Sequence, residues 1–212
     1  GYLAEQIFNV DETALFWKKM PSRSFISKEV ESMPGFKIAK ERITIMLGGN
    51  LSGNCKLKPL AVYHSLKPRA FKNIDTQTLP VIWKANKKAW VTRVIFLEWF
   101  KENLIPEAKA YLEKLKIPFK VLLLLDNAPG HPVDLNEIHP NVEVVFSPPR
   151  TTALLQPMDQ GVIATFKSIE TNHETLIELW KKYNVYDAIN NISAAWNEVT
   201  QVTLNRCWKN VF

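Results

Sequence analysis

A chain of 212 residues, 46% hydrophobic and 11% aromatic, can bury one sizeable core and is not disordered by composition, and it holds no apolar run of the roughly 18 residues that a membrane helix needs. Its net charge of +6 is uneven: Gly1 to Arg93 carries 16 Lys/Arg against 7 Asp/Glu, and the remainder carries 11 against 14. The first part therefore offers a surface suited to a polyanion such as a nucleic acid backbone, although the same lysines would also serve plain solubility. Cys55 and Cys207 lack metal-ligand spacing, and the opening GYLAEQIFNVDET lacks a secretory pattern. Both thiols thus read as reduced and intracellular, and a zinc site is not expected. The abrupt start on a strand-like segment suggests a piece of a longer protein.

In chain order, Gln6 to Val10 is a short apolar strand that ends at Asp11-Glu12. A polar, basic excursion with Pro21 and Pro34 follows. Ile43 to Leu47 reads as a strand running into the turn signal Gly48-Gly49-Asn50, and Leu57 to His64 as its hairpin partner. Pro59 puts that partner at an edge or makes it begin later. Thr92 caps an expected helix from Arg93 toward Leu104, with Val94, Phe96, Leu97 and Phe100 as its apolar face. Pro106 opens a second helix through Lys116. Phe119 to Leu125 is apolar without alternation, which predicts a central strand covered on both faces. Val142 to Phe146 is a further strand. Beyond Met158 the spacing turns helical, over Glu174 to Tyr183, Val185 to Val199 and Thr200 to Val211, with Trp180, Trp196 and Trp208 as core anchors. The order implies an α/β fold: a mixed central sheet flanked by helices.

The chain holds six aspartates, and Asp11 and Asp126 each follow an expected buried strand. Carboxylates there point into the crevice where α/β sheets bind ligands. Asp159 precedes a third apolar stretch with Val162, Ile163 and Phe166. Turn formation or helix capping would account for each of them singly. Together they suit hard divalent cations such as Mg²⁺ or Mn²⁺, because close carboxylates need positive charge and oxygen donors select such ions. Two such ions, one activating the attacking oxygen and one the departing oxygen, are the usual route to phosphodiester cleavage.

The strings NVDETALFWKKMPSRSF, LLLLDNAPGHP and LLQPMDQGVIATFKS resemble the DDE superfamily endonuclease domain of Tigger/pogo transposases, a group similar to centromere protein B within the wider Tc1/mariner assemblage. The likeness runs from about Ile7 to Lys167, and more loosely to Trp208. It implies an RNase H-like catalytic domain over residues 1–168 and a C-terminal helical extension over 169–212 packed on it. By the same resemblance Asp11, Asp126 and Asp159 are the catalytic, metal-binding triad, with 32 residues between the last two. Asn127 then bonds a ligand or its own turn, and His131 contacts a phosphate, orients water or packs the turn. Gln156 and Gln160 flank Asp159 as supporting donors. Lys18, Lys19, Lys56, Lys58 and Arg69 are candidate DNA contacts. Glu12 reads as a surface residue and His64 as structural.

Family members carry helix-turn-helix modules upstream, so recognition of transposon ends is expected outside this chain. After ATFKS they continue with a longer helix, whereas here Ser168-Ile169-Glu170 passes quickly to HETLIELW. The leading expectation is a metal-dependent endonuclease and strand transferase acting on DNA in the nucleus, possible as a homodimer, with no membrane partner and no organic cofactor. The alternative is a domesticated, catalytically silent module that binds DNA or protein. A cellular RNase H is weaker, for want of an extra glutamate in a helix.

Overall fold

The computed structural model describes residues 1–17, 41–148, 156–171 and 183–208. The basic excursion with Lys18 and Lys19, Trp180 and nearly all of the expected helix Glu174 to Tyr183 lie outside them. Six strands form: β1 (Ile7–Leu15), β2 (Ile43–Asn50), β3 (Leu60–Tyr63), β4 (Ile82–Ala85), β5 (Val121–Leu125) and β6 (Val142–Phe146). They make one sheet in the order β4-β3-β2-β1-β5-β6. β2 runs against the other five, pairing antiparallel with β1 and β3, while β3–β4, β1–β5 and β5–β6 are parallel. The C-terminal ends of five strands therefore share one end of the sheet, where α/β folds place their ligands.

Strand alternation divides the interior in two. Phe8, Val10, Met46, Leu60, Val62 and Leu123 face one helical layer, made of α1 (Arg93–Trp99), a π-helical turn (Phe100–Leu104) and α2 (Ile105–Lys114). Leu15, Ile45, Leu47, Ala61 and Tyr63 face another, made of α3 (Val162–Thr171), α4 (Val185–Glu198) and α5 (Gln201–Arg206). Burial of each Val, Leu, Ile, Phe or Met side chain among them contributes about 1.5–3 kcal/mol. Trp196 and Trp208 are both core residues, as expected, and Trp196 Nε1 donates to the Leu57 carbonyl at 3.0 Å. Among the described residues no helix is long and apolar enough to cross a membrane.

Four local readings need correction. β1 does not stop at Val10: it leaves β5 after Asn9 but stays paired with β2 to Leu15, so Asp11 lies within the strand. Gly48-Gly49-Asn50 is strand, not turn, and the chain reverses beyond it, where Gly53 has φ +74°. The two strand glycines permit close approach: a Cβ at Gly48 would stand 2.5 Å from Val10 Cγ1, and one at Gly49 would stand 2.9 Å from the Cys55 carbonyl. Gly48→Ala should therefore lower stability by about 1–3 kcal/mol in urea melts, the usual cost of overpacking. The helix pair is one run, because the π turn, with Ile105 N–H reaching back to the Phe100 carbonyl, accommodates Pro106 without a break. Its buried face is Ile95, Phe96, Trp99 and Phe100, while Val94 is 65% exposed. β4 was not anticipated. Its four residues, IWKA, sit beside a lysine run and give too short an alternation to register.

Candidate active site

Asp11 sits on β1 just past the last parallel rung to β5, which is Asn9↔Leu124. It is 6% exposed, and its Oδ1 accepts the Glu12 N–H at 2.8 Å. Asp126 directly follows β5. Asp159 lies in the 3₁₀ turn Pro157–Gln160 ahead of α3, with its side chain exposed. Burial pushes the Asp11 carboxyl up to about 8, reinforced by the negative charges of Asp159, then Glu12, then Asp126, and opposed by the Glu12 amide. Asp11 thus feels the charge of both other expected aspartates, Asp159 more strongly than Asp126.

His131 explains part of that order. Its Nδ1 is 2.9 Å from Asp126 Oδ1 and 3.0 Å from the Asp126 carbonyl, and its Nε2 is 3.0 Å from Glu12 Oε1. The ring is buried against Phe96, with centroids 4.6 Å apart. Burial alone would lower its pKa, but the Asp126 and Glu12 carboxylates outweigh that and carry it up to about 10. The charged imidazolium in turn holds Asp126 below the ordinary carboxylate range. Of the roles open to His131, the structure shows a buried clamp between two acids. Glu12, expected on the surface, is its second partner: alternation along β1 sends Asp11 toward α3 and Glu12 toward α1. With Glu12 and His131 119 positions apart, no spacing pattern could have signalled the pair.

Other expected residues divide. Gln156 is fully buried, and its Nε2 donates to the Val10 carbonyl at 3.1 Å while its Oε1 has no hydrogen-bond partner. The Gln160 side chain lies outside the described residues. Asn127 Nδ2 donates to the Ser147 carbonyl, which ties the segment after β5 to the segment after β6 rather than closing its own turn. Lys56 is not free for DNA. Its Nζ donates to the carbonyls of Trp196, Asn197 and Val199 at 2.8, 2.9 and 2.8 Å, closing the C-terminus of α4, and its pKa is lowered by burial. Lys56→Met should cost about 1–2 kcal/mol in thermal melts, a helix-terminus charge effect, and leave nucleic acid chemistry unchanged. Lys58 is exposed, but it precedes β3 and so lies toward the sheet end opposite Asp126. Arg69 is exposed in the 3₁₀ turn Arg69–Phe71, on the crossover from β3 to β4. His64 is exposed, with its ring centre 4.0 Å from that of Tyr63 and tilted 48° to it.

Residues 40–208 match the DDE superfamily endonuclease family. The chain belongs to that family. The match includes Asp126 and Asp159, and Asp11 lies upstream of it. This DDE domain is 36% identical to the human Jerky protein homolog over 100% of the chain and 38% of that protein. It is also 37% identical to human Tigger transposable element-derived protein 7, over 97% of the chain and 42% of that protein. The chain thus spans about two fifths of the length of these relatives. Among solved structures it resembles the Mos1 mariner paired-end complex with Mn, at a TM-score of 0.50 and 13% identity, covering 96% of this chain and 57% of that one. The DDE domain accordingly has the RNase H-like fold.

A divalent cation suits the donor chemistry. The charges that act on Asp11 belong to carboxylates, the oxygen donors that hard cations prefer. Asp126 directs its contacts with His131 and Ala128 through Oδ1, so Oδ2 makes no hydrogen bond among the described residues. Among the described residues, no three His, Cys, Asp or Glu side chains are yet drawn together closely enough to hold an ion.

Proposed function

We propose that this domain is the catalytic core of a cut-and-paste DNA transposase, cleaving phosphodiester bonds and joining the freed 3′-hydroxyl to target DNA in the nucleus. The observation that carries this reading is the buried Asp11 carboxyl on β1, with Asp126 directly following the adjacent parallel strand, the turn of Asp159 bonded to β1 through Gln156 and Met158, and the charges of these acids acting on Asp11. Such crowding destabilises a metal-free protein and suits a site built to receive positive charge. Asp11, Asp126 and Asp159 would hold two Mg²⁺ or Mn²⁺ ions, which would supply charge neutralisation at the attacking and departing oxygens. Asp11 must shed its proton to serve as a ligand. His131 keeps Asp126 ionised and fixes its Oδ1, and Gln156 anchors the turn carrying Asp159 to the Val10 carbonyl.

DNA would approach along the sheet end that carries these groups. There Phe16, Arg42, His64, Lys87 and Lys88, with Glu41, line a cleft of about 380 Å³. Arg42 lies 5.3 Å from the centre of the Trp90 ring, and Trp90 is 57% exposed. Cations beside exposed aromatic rings suit phosphates and unstacked bases.

A silent, domesticated module is the second reading. It is favoured by the engagement of Asp126 and Glu12 with His131. Nicking of supercoiled plasmid in Mg²⁺ or Mn²⁺ separates the two. Metal-dependent nicks that vanish with Asp126→Asn support the transposase reading, and metal-dependent binding without nicks supports the silent one.

A further inference from the structure

We infer that Asn9 is a positioning residue that locks together the three segments bearing the aspartates. The inference takes from the nuclease reading only the purpose of the alignment. Asn9 is fully buried in β1, two residues before Asp11 and on the same face. Its Nδ2 donates to the Leu124 carbonyl at 2.9 Å, two residues before Asp126. Its Oδ1 accepts the Met158 N–H at 3.0 Å, one residue before Asp159. One side chain thus touches the backbone of each other segment that carries a candidate ligand.

The location explains why an amide is used. Asn9↔Leu124 is the last rung between β1 and β5, and past it the strands part to open the crevice. A backbone ladder can join β1 to β5 but cannot also reach the turn at 157–160, which runs in no strand. A side chain holding both a donor and an acceptor can do so. Asparagine is a poor strand former and costly to bury unless bonded, so its presence here needs both bonds to offset those costs. Threonine offers a single, shorter hydroxyl that cannot span the two partners. Aspartate would lose the donor and add a further negative charge beside Asp11. Ligands that share cations must be held to within about half an ångström, which is the tolerance such a lock can supply.

The test compares the whole chain as wild type, Asn9→Ala and Asn9→Thr, the last retaining strand propensity should alanine fold poorly. Leu112→Ala, in the α2 layer away from the site, serves as a control of general destabilisation. Mn²⁺ binding is titrated by electron paramagnetic resonance, and amide hydrogen exchange is followed in metal-free protein. Both Asn9 variants should lose Mn²⁺ affinity by about 10–100-fold, the usual effect of removing a group that supports metal ligands. They should also exchange the Met158 and Asp159 amides at least about tenfold faster while Val121–Leu125 stays protected, since local opening is separable from global unfolding. Wild-type exchange at Met158 in a folded Asn9 variant overturns the lock, as does an equal loss of Mn²⁺ affinity in Leu112→Ala. If wild type binds no Mn²⁺ that Asp11→Asn abolishes, the nuclease reading falls, and the exchange data still decide the role of Asn9.

Discussion

Asp126→Asn should reduce Mg²⁺-supported plasmid nicking by about 10³-fold or more while leaving the fold intact. Asparagine keeps an Oδ1 acceptor for His131 Nδ1–H and for the Ala128 N–H, now 2.9 and 3.2 Å away, so the turn after β5 retains its bonds. What disappears is the negative charge, and with it a cation ligand. Bound cations supply several kcal/mol of transition-state stabilisation, and about 4 kcal/mol corresponds to about 10³ in rate. Asp11→Asn should be equally inactive, for the same reason. Unchanged nicking by either variant, in a protein that still melts cooperatively, removes that residue from the chemistry.

The second large effect is on stability. Asp11 titrates near 8 in the fold against about 4 in an unfolded chain, so between those values the folded state binds the extra proton. Its contribution is fully present below about pH 4 and is lost as pH rises through 8. His131 titrates near 10 in the fold against 6.5 as a free side chain, so its contribution is present below about pH 6.5 and is lost as pH rises through 10. Both act in one direction. In EDTA, urea stability should fall steadily from pH 5 to pH 9, by up to several kcal/mol. Asp11→Asn should flatten the part below pH 8, leaving a metal-free protein more stable than wild type there. Mg²⁺ should restore wild type most above pH 8, where Asp11 has already lost its proton and no longer exchanges it for the ion. A flat or rising profile in EDTA would mean that Asp11 is neither crowded nor desolvated as described.

How far the sequence revealed this site depends on range. Asp126 was legible because an unbroken apolar run, VLLLL, ends on it, and such a run in an α/β chain makes an interior strand. Asp11 was legible as an acid near a strand, but its place inside β1 was not, because pairing to β2 beyond Val10 is set by a partner more than 30 residues away. Asp159 was legible as an acid ahead of an apolar helical stretch, and the family likeness implied its place beside the other two. Glu12 was misread and Asn9 passed over for one reason: the partner of Glu12 lies 119 residues distant and those of Asn9 115 and 149, and local periodicity carries no trace of them. Lys56 shows the converse. A lysine in a basic half resembles a phosphate contact, and only the fold reveals three helix carbonyls already at its amine. Val94 was misplaced because spacing along a short helix fits two neighbouring stripes, and packing chooses between them.

The division of the interior has a bearing on how such a domain would fail. Met158 and α3 belong with the apolar half that includes α4 and α5, whereas β5 and the Phe96 against which His131 rests belong to the other. Warming or mild denaturant that loosens the first half alone would carry Asp159 away from Asp11 and leave β1 and β5 in register. Inactivation would then precede melting of the sheet, and cooling would reverse it without any strand having to find its partner again.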